Sequence, residues 1–197
     1  MARPRASDHD EKRRAILHRA ALIFARDGYD RASMSRLAAE CGVSKALLYH
    51  YHASKEALLF DILSNHLSML VEVVEAADEP SLAPEARLER LVAALLDAYR
   101  DADAEHRVQL SALRFLPEAE QERLKALERR LVEMFAEALR SFDPARFEAP
   151  PLIKPVTMSV FGMVNWAYMW FRDGGAVSRE DYARLIARLV AGGIPRI

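Results

Sequence analysis

The stretch SMSRLAAECGVSKALLYHYHASKE, residues 33–56, decides the fold of this chain. It predicts two helices of about seven residues, Met34 to Cys41 and Ser44 to Tyr51, separated by Gly42. Glycine permits the left-handed turn that a β-carbon opposes, and serine is a favourable N-cap for the second helix. The side chains spaced to face inward are Leu37, Cys41, Val43, Leu48 and Tyr51. This arrangement predicts a helix-turn-helix, in which the second helix inserts its N-terminal end into the major groove of DNA.

Several side chains around this turn are predicted to contact DNA. They are Ser33, Ser35, Arg36, Ser44, Lys45, Ala46, Leu47, Tyr49, His50 and Lys55. On the recognition helix, Lys45 can donate to guanine, while the two residues after it can touch a thymine methyl group. The serine hydroxyls and free amides that open the first helix suit a phosphate, as do the rings of Tyr49 and His50. Lys55 is expected to share a phosphate with the N-terminus of the following helix.

The same window resembles the DNA-binding region of the TetR/AcrR family of repressors. The likeness rests on its tail LYHYHASKE (48–56) and on the preceding ALIFARDGYD (21–30), which matches the family's first helix and turn. It covers about residues 10–60. The resemblance implies a bacterial-type, one-component repressor with an all-helical C-terminal domain that forms dimers and senses a small molecule.

Helical patterns continue to the end of the chain, and no segment alternates apolar and polar residues long enough to predict a strand. The predicted fold class is all-α, with an N-terminal three-helix helix-turn-helix domain, a C-terminal helical ligand-binding and dimerisation domain, and about nine helices. The predicted domains are 1–53, which includes a basic arm (1–9), and 54–197, with the helix from residue 54 connecting them. The helices outside the turn are expected at 10–26, 54–76, 84–102, 105–115, 117–140, 155–173 and from 178 onward.

Charge separates the two parts of the chain. The formal net charge is −1, but residues 1–60 hold 11 Lys and Arg against 7 Asp and Glu. A basic first third on an acidic remainder suggests that only the N-terminal part meets a polyanion. The single cysteine excludes an intrachain disulfide, and the N-terminus lacks the pattern of a signal peptide. The apolar stretch 156–171 is too short and interrupted to span a bilayer, so a cytoplasmic protein with no membrane partner is expected.

No catalytic residue, cofactor or metal site is expected. The sequence has no phosphate loop, dinucleotide fingerprint or nucleophile elbow. His50 and His52 stand two positions apart on a helix and therefore face apart, and no Cys/His cluster with ligand spacing completes a metal site. Cys41 is expected to be a buried small apolar residue rather than a redox sensor.

The C-terminal part is expected to bind a small-molecule effector inside a helical bundle, where aromatic, Met and a few polar side chains form ligand sites. The candidate ligand-binding residues are Tyr99, Gln109, Arg114, Met134, Phe161, Asn165, Trp166, Tyr168 and Met169. Such side chains also form ordinary cores, and a buried polar group can pair with a backbone carbonyl instead of a ligand. The segment FGMVNWAYMWFRDGGAVS (161–178) resembles a pattern in family members that respond to acyl-CoA thioesters, such as phenylacetyl-CoA.

The resulting hypothesis is a homodimer, formed through the last two helices, that binds double-stranded operator DNA and is released by its effector. Ligand binding would tilt the helix that starts after Ser54 and move the two recognition helices out of register. Activation instead of repression stays open, because it depends on where the operator lies. Two alternatives of other classes also stay open: a helical enzyme or small-molecule carrier with a vestigial DNA-binding head, and an effector-free DNA-binding dimer.

Overall fold

The computed structural model describes residues 5–100, 102–148 and 151–197. These residues form nine α-helices joined by turns and short 3₁₀ segments, and they contain no strand. The predicted all-α class with about nine helices is confirmed. The helices are α1 (Arg5–Asp27), α2 (Met34–Glu40), α3 (Lys45–Tyr51), α4 (Lys55–Ala77), α5 (Pro84–Ala98), α6 (Asp103–Ala112), α7 (Glu118–Arg140), α8 (Ile153–Asn165) and α9 (Arg179–Gly193).

The chain divides into two compact units. The first comprises Met1–Leu67 with Asp101–Lys125, and the second comprises Ser68–Arg100 with Ala126–Ile197. Both α4 and α7 contribute residues to each unit. This division falls inside α4, and the predicted end of the DNA-binding domain at residue 53 stays a prediction.

The first unit holds α1, α2, α3, the first half of α4, α6 and the start of α7. Its core consists of apolar side chains that recur every three or four residues, the spacing that brings them to one face of a helix. The most buried of them, each at most 3% exposed, include Ile16, Ala20, Phe24, Leu37, Leu48, Leu59, Ile62 and Leu63. α6 packs along α1. Helices of seven residues such as α2 and α3 are marginal alone, so this shared core is what stabilises them.

The second unit is built around α5 and α9, which pack along each other, with α8 beside them. Leucines at positions 88, 91 and 95 of α5 are fully buried, as is Ile186 of α9. At the start of α9, Arg179 donates a hydrogen bond to the backbone oxygen of Leu96 (2.6 Å). Arg87 is also buried, and Asp78 accepts two hydrogen bonds from its guanidinium at 2.6 and 2.8 Å, which satisfies its charge.

Three helix ends differ from the sequence predictions by four or more residues. α1 begins at Arg5, so the predicted arm is shorter than 1–9, and its residues 1–4 lie outside the described residues. α5 ends at Ala98 instead of near residue 102. α8 ends at Asn165 instead of near residue 173, and a 3₁₀ turn (Ala167–Met169) follows it. Four of the six residues 166–171 are aromatic, and aromatic side chains lose rotamer freedom in an α-helix, which favours the earlier end.

By length and composition alone, α4 is apolar enough to cross a membrane, with a mean hydropathy of 1.5 over its most apolar window. Half of that window is buried inside the fold, and the side chains of Leu58, Leu63 and Val74 are fully enclosed. These are the properties of the core helix of a globular protein.

Candidate nucleic-acid interface

The turn between α2 and α3 has the predicted geometry. Gly42 adopts a φ of +67°, in the left-handed region that favours glycine. Ser33 caps α2, where its side-chain oxygen accepts a hydrogen bond from the backbone N–H of Arg36 (3.3 Å). Ser44 caps α3 in the same way and accepts from the N–H of Leu47 (3.1 Å). Both helices are therefore fixed at their first turns by the residues that the sequence pattern singles out.

The inward face of the helix-turn-helix is only partly the predicted one. Leu37 and Leu48 are fully buried, and Met34 and Ala38 on α2 are buried as well. The other three residues of the predicted inward set, Cys41, Val43 and Tyr51, are half-buried. Burial raises the pKa of the Cys41 thiol, which keeps it in the unreactive protonated form.

The outward face of α3 carries four of the predicted DNA-contacting residues. Lys45, Ala46, Tyr49 and His50 are all exposed, whereas Leu47 is half-buried. Their positions i, i+1, i+4 and i+5 place them on one side of the helix, opposite the buried Leu48. The Lys45 ammonium lies 5.8 Å from the centroid of the Tyr49 ring. This face presents a cation, a methyl group and two polar aromatic rings, which is a suitable surface for a DNA groove.

Arg36 of α2 belongs to a network of four charges with the end of α1. Its guanidinium donates to Glu40 (2.8 Å) and to Asp27 (2.6 Å). Arg26 donates to the same two carboxylates, with its shortest contacts at 2.7 Å to Asp27 and 2.8 Å to Glu40. The hydrogen bond from Arg26 is the main cause that lowers the pKa of Asp27 and of Glu40. The network joins α1 to α2, and the predicted contact of Arg36 with DNA stays a prediction.

Lys55 has internal partners in place of the expected phosphate. Its ammonium donates to the backbone oxygens of Tyr29 (3.0 Å) and Ala32 (3.1 Å), in the turn before α2. It also lies 4.1 Å from the centroid of the Tyr29 ring. The geometry therefore favours a structural role for Lys55, and its contact with DNA stays a prediction that this arrangement weakens.

Sequence reasoning missed a contact between a buried histidine at the end of α3 and a carboxylate of α4. The ring of His52 is buried, and its Nδ1 lies 2.9 Å from a carboxylate oxygen of Asp61 on α4. The same carboxylate accepts a hydrogen bond from Arg13 of α1 at 3.0 Å. Burial alone would raise the pKa of Asp61, but His52 and Arg13 outweigh it and hold the pKa below its usual value. His52 stands nine residues from Asp61, a spacing with no motif to signal the contact.

Comparison with known proteins places this geometry in a family. The model described as "Bacterial regulatory proteins, tetR family" matches residues 16–62, and the one described as "Tetracyclin repressor-like, C-terminal domain" matches residues 81–194. The chain belongs to the TetR family. Its members are DNA-binding transcriptional regulators, and homodimers are typical of them.

Solved structures of TetR-family proteins share most of this fold. A TetR-family transcriptional regulator from Bordetella parapertussis 12822 is 36% identical, with a TM-score of 0.83 over 90% of this chain and 93% of the other. AibR, solved in complex with isovaleryl coenzyme A and operator DNA, is 27% identical, with a TM-score of 0.76 over 90% of this chain and 97% of its own.

Curated relatives are regulators rather than enzymes. The transcriptional repressor KstR2 of Mycobacterium tuberculosis is 24% identical over 195 residues, which cover 97% of this chain and 96% of KstR2. Three other curated HTH-type regulators are 28–35% identical, but the matches span only 26–40% of their length. One of these three is described as an activator.

In this TetR-family protein, the predicted ligand-binding residues are spread over both units. Gln109 and Arg114 belong to the first unit, and the other seven belong to the second. The hydroxyl of Tyr99 donates to the side-chain oxygen of Asn165 at 2.8 Å, so these two polar groups satisfy each other. Phe161 is buried and packs on Phe135, with ring centroids 4.9 Å apart. Nothing in the geometry of the described residues identifies a ligand, and the set stays a prediction.

The rest of the set is more exposed than a pocket lining requires. Trp166 and Met169 are 60% and 56% exposed and lie just after the end of α8. Tyr168 and Met134 are half-buried. The second unit also has an open groove of about 630 Å³, lined in part by Arg90, Asp97, Phe171, Asp173 and Arg179. None of the predicted ligand residues lines it.

Proposed function

We propose that the protein is a repressor that binds operator DNA as a homodimer and is released by an acyl-CoA thioester. The observation that carries the DNA-binding part is the outward face of α3, where Lys45, Tyr49 and His50 project from a helix anchored by the buried Leu48. The N-terminal end of such a helix fits the major groove. In this proposal Lys45 and Ala46 meet base edges, and Tyr49 and His50 meet the sugar–phosphate backbone.

The dimer is proposed to form through α8 and α9. Both helices expose large apolar side chains, among them Met158 at 49%, Leu185 at 48% and Leu189 at 58%. Leu185 and Leu189 are one helical turn apart and therefore share a face. Burying that face against the same face of a second copy would form a four-helix bundle, and a fixed dimer would hold two recognition helices about 34–36 Å apart.

The effector class is supported by the likeness to AibR, which was solved with isovaleryl coenzyme A. It is also supported by the segment 161–178, which contributes Phe161 and Asn165 to the candidate ligand residues. α4 has residues in both units, so in this proposal a tilt of α4 passes the effect of ligand binding to the helix-turn-helix. An effector-free DNA-binding dimer is the second candidate, because the side chains of Tyr99 and Asn165 already satisfy each other.

Operator binding with and without thioester tests this proposal. Fluorescence anisotropy would measure binding to the DNA upstream of the protein's own gene at a fixed salt concentration, with and without isovaleryl-CoA and longer or aromatic acyl-CoAs. Specific binding that one thioester abolishes is the expected result. Specific binding that persists with every thioester would reject the effector class and favour the effector-free dimer. Absence of sequence-specific binding to any genomic fragment would reject the repressor and favour a carrier or enzyme.

A pair of lysine variants locates the interface in the same assay. We expect Lys45→Ala to weaken specific binding by about tenfold, in the range for one lost base contact. Lys125→Ala is the matched control, because Lys125 lies on α7 and pairs with Glu122 at 2.9 Å. Equal operator affinities of the two variants would remove Lys45 from the interface.

A further inference from the structure

Tyr29 connects several elements of the first unit. It lies in the turn between α1 and α2 and is only 7% exposed. Its hydroxyl donates to a carboxylate oxygen of Glu56 on α4 at 3.0 Å. Its ring stacks on Phe115, with centroids 4.7 Å apart and an interplanar angle of 21°, and packs at a tilt on Phe24 of α1 at 5.3 Å. One side chain therefore contacts α1, α4 and the segment that follows α6.

The turn that contains Tyr29 determines where α2 begins. Lys55 holds this turn from the first residue of α4 by donating to the backbone oxygens of Tyr29 and Ala32. Ala32 directly precedes Ser33, which caps α2. A displacement of the Tyr29 ring would therefore be passed to the start of α2 through no more than four residues of backbone.

Phe115 reaches this turn from a distant part of the sequence. It ends the 3₁₀ segment Leu113–Phe115 that follows α6, and the guanidinium of Arg114 lies 4.9 Å from its ring centroid. At the other end of α6, Glu105 lies 2.9 Å from Nδ1 of His18 on α1. The two contacts are about ten positions apart along both segments, from His18 to Tyr29 and from Glu105 to Phe115, or roughly 15 Å at the rise of an α-helix. α6 thus follows α1 in the same direction and delivers Phe115 to the Tyr29 turn.

We propose that Phe115 is a positioning residue for DNA binding, which fixes the start of α2 by stacking on Tyr29. The inference rests on the proposed function only in that its main test needs an operator. The proposal gives a role in DNA binding to a residue far outside the helix-turn-helix window of residues 33–56. Phe115 is half-buried, whereas the apolar side chains of the central core are enclosed, so its ring contributes more by orienting Tyr29 than by filling space.

Operator affinity of full-length variants tests the stack. We expect Phe115→Leu to raise the operator Kd by about threefold to tenfold, the range for a lost aromatic pair, because leucine keeps the apolar bulk but not the stacking. Phe115→Tyr keeps an aromatic ring, so its operator Kd should stay within about twofold of that of the original chain. Leu110→Ala is the control on α6, since Leu110 is 61% exposed and should leave the Kd unchanged.

A double-mutant cycle with Tyr29→Leu separates positioning from stability. Two substitutions that break the same stack should not add, so the double variant should bind operator no more weakly than the weaker single variant. A purely structural contact would lower the melting temperature of Phe115→Leu while its operator Kd, measured well below that temperature, stayed unchanged. That result, or additive effects on the Kd, would overturn the proposal.

Hydrogen exchange of the free protein tests the same stack without DNA. Backbone amides of residues 29–40 should exchange faster in Phe115→Leu than in Leu110→Ala. If no operator is found, the proposed function fails while this measurement still decides the positioning role. Equal exchange in the two variants would reject it.

Discussion

The recognition helix of the first unit and the last two helices of the second unit expose side chains of opposite character. α3 exposes Lys45, Tyr49 and His50 above the buried Leu48, whereas α8 and α9 expose Met158, Leu185 and Leu189. A polar face with a cation is stable in water and suits a polyanion. Exposed leucines and methionines on adjacent helices suit burial against another protein surface. This contrast supports the proposal that the first unit meets DNA and the second meets another copy of the chain.

Two leucine-to-alanine substitutions should show the difference between the two units with the largest effects. Leu48→Ala removes a fully buried side chain of α3, and we expect the free energy of unfolding of the first unit to fall by about 2–5 kcal/mol. Leu189→Ala removes a side chain that is 58% exposed, so the chain's own fold should lose little and the dimer should dissociate more readily. Urea denaturation followed by circular dichroism would measure the first effect, and analytical ultracentrifugation the second.

Equal losses of folding stability in the two variants would contradict the assignment of different roles to the two faces. An unchanged dimer dissociation constant for Leu189→Ala would remove Leu189 from the interface. Leu110→Ala serves both measurements as the control for an exposed leucine outside the two faces, because Leu110 lies on α6 and is 61% exposed.

The next largest effect expected is that acid lowers the folding stability of the first unit more than that of the second. Among the described residues, His52, His66 and His106 are buried in the first unit, and Arg87, which is paired with Asp78, is buried in the second. Burial, with repulsion from His106, lowers the pKa of His66 to about 4. The unfolded chain binds this proton near its ordinary pKa of 6.5, so the stability that neutral His66 supports is complete above pH 6.5 and is lost as the pH falls toward 4. At about 1.4 kcal/mol per pKa unit, the loss is of the order of 3 kcal/mol.

Denaturation at pH 7.5 and pH 4.5 would measure this loss. His66→Gln cannot titrate and should show a smaller difference between the two pH values than the original chain. His18→Gln is the control, because His18 is exposed and contacts Glu105 at the surface. Hydrogen exchange at pH 5 should rise first in the first unit, and an earlier rise in the second unit would contradict the assignment to His66.

The helix-turn-helix was predictable because the residues that determine it lie close together in the sequence. Gly42, the caps Ser33 and Ser44, and the buried Leu37 and Leu48 all act within a few residues of their partners. The same reasoning found the start of α9, where Ser178 accepts a hydrogen bond from the N–H of Asp181 at 3.0 Å. Turn and cap chemistry depends on residue type at fixed spacing, which a sequence displays directly.

The long-range contacts were not predictable, because their partners lie far apart in the sequence. The stack of Phe115 on Tyr29 joins residues 86 positions apart, and the bond of Tyr99 to Asn165 joins residues 66 positions apart. Helical periodicity identifies which side of a helix is buried, but it does not identify the helix that packs there. For the same reason, the sequence assigned Lys55 to a phosphate, whereas its nearest acceptors are the carbonyls of a turn 23 and 26 residues earlier.

The hydrogen bond between Tyr99 and Asn165 gives the smallest expected effect, and its removal tests whether this pair belongs to an effector site in the second unit. Tyr99→Phe removes only the hydroxyl that donates to Asn165 at 2.8 Å, and burial raises the pKa of that hydroxyl. A neutral hydrogen bond contributes about 1 kcal/mol, so we expect thermal unfolding to shift by a few degrees. If the pair is purely structural, every thioester that releases the original chain from operator should release this variant at the same concentration. A loss of release without a loss of stability would instead make Tyr99 part of the effector site, and the second unit would then meet a small molecule through its interior as well as a second copy through its surface.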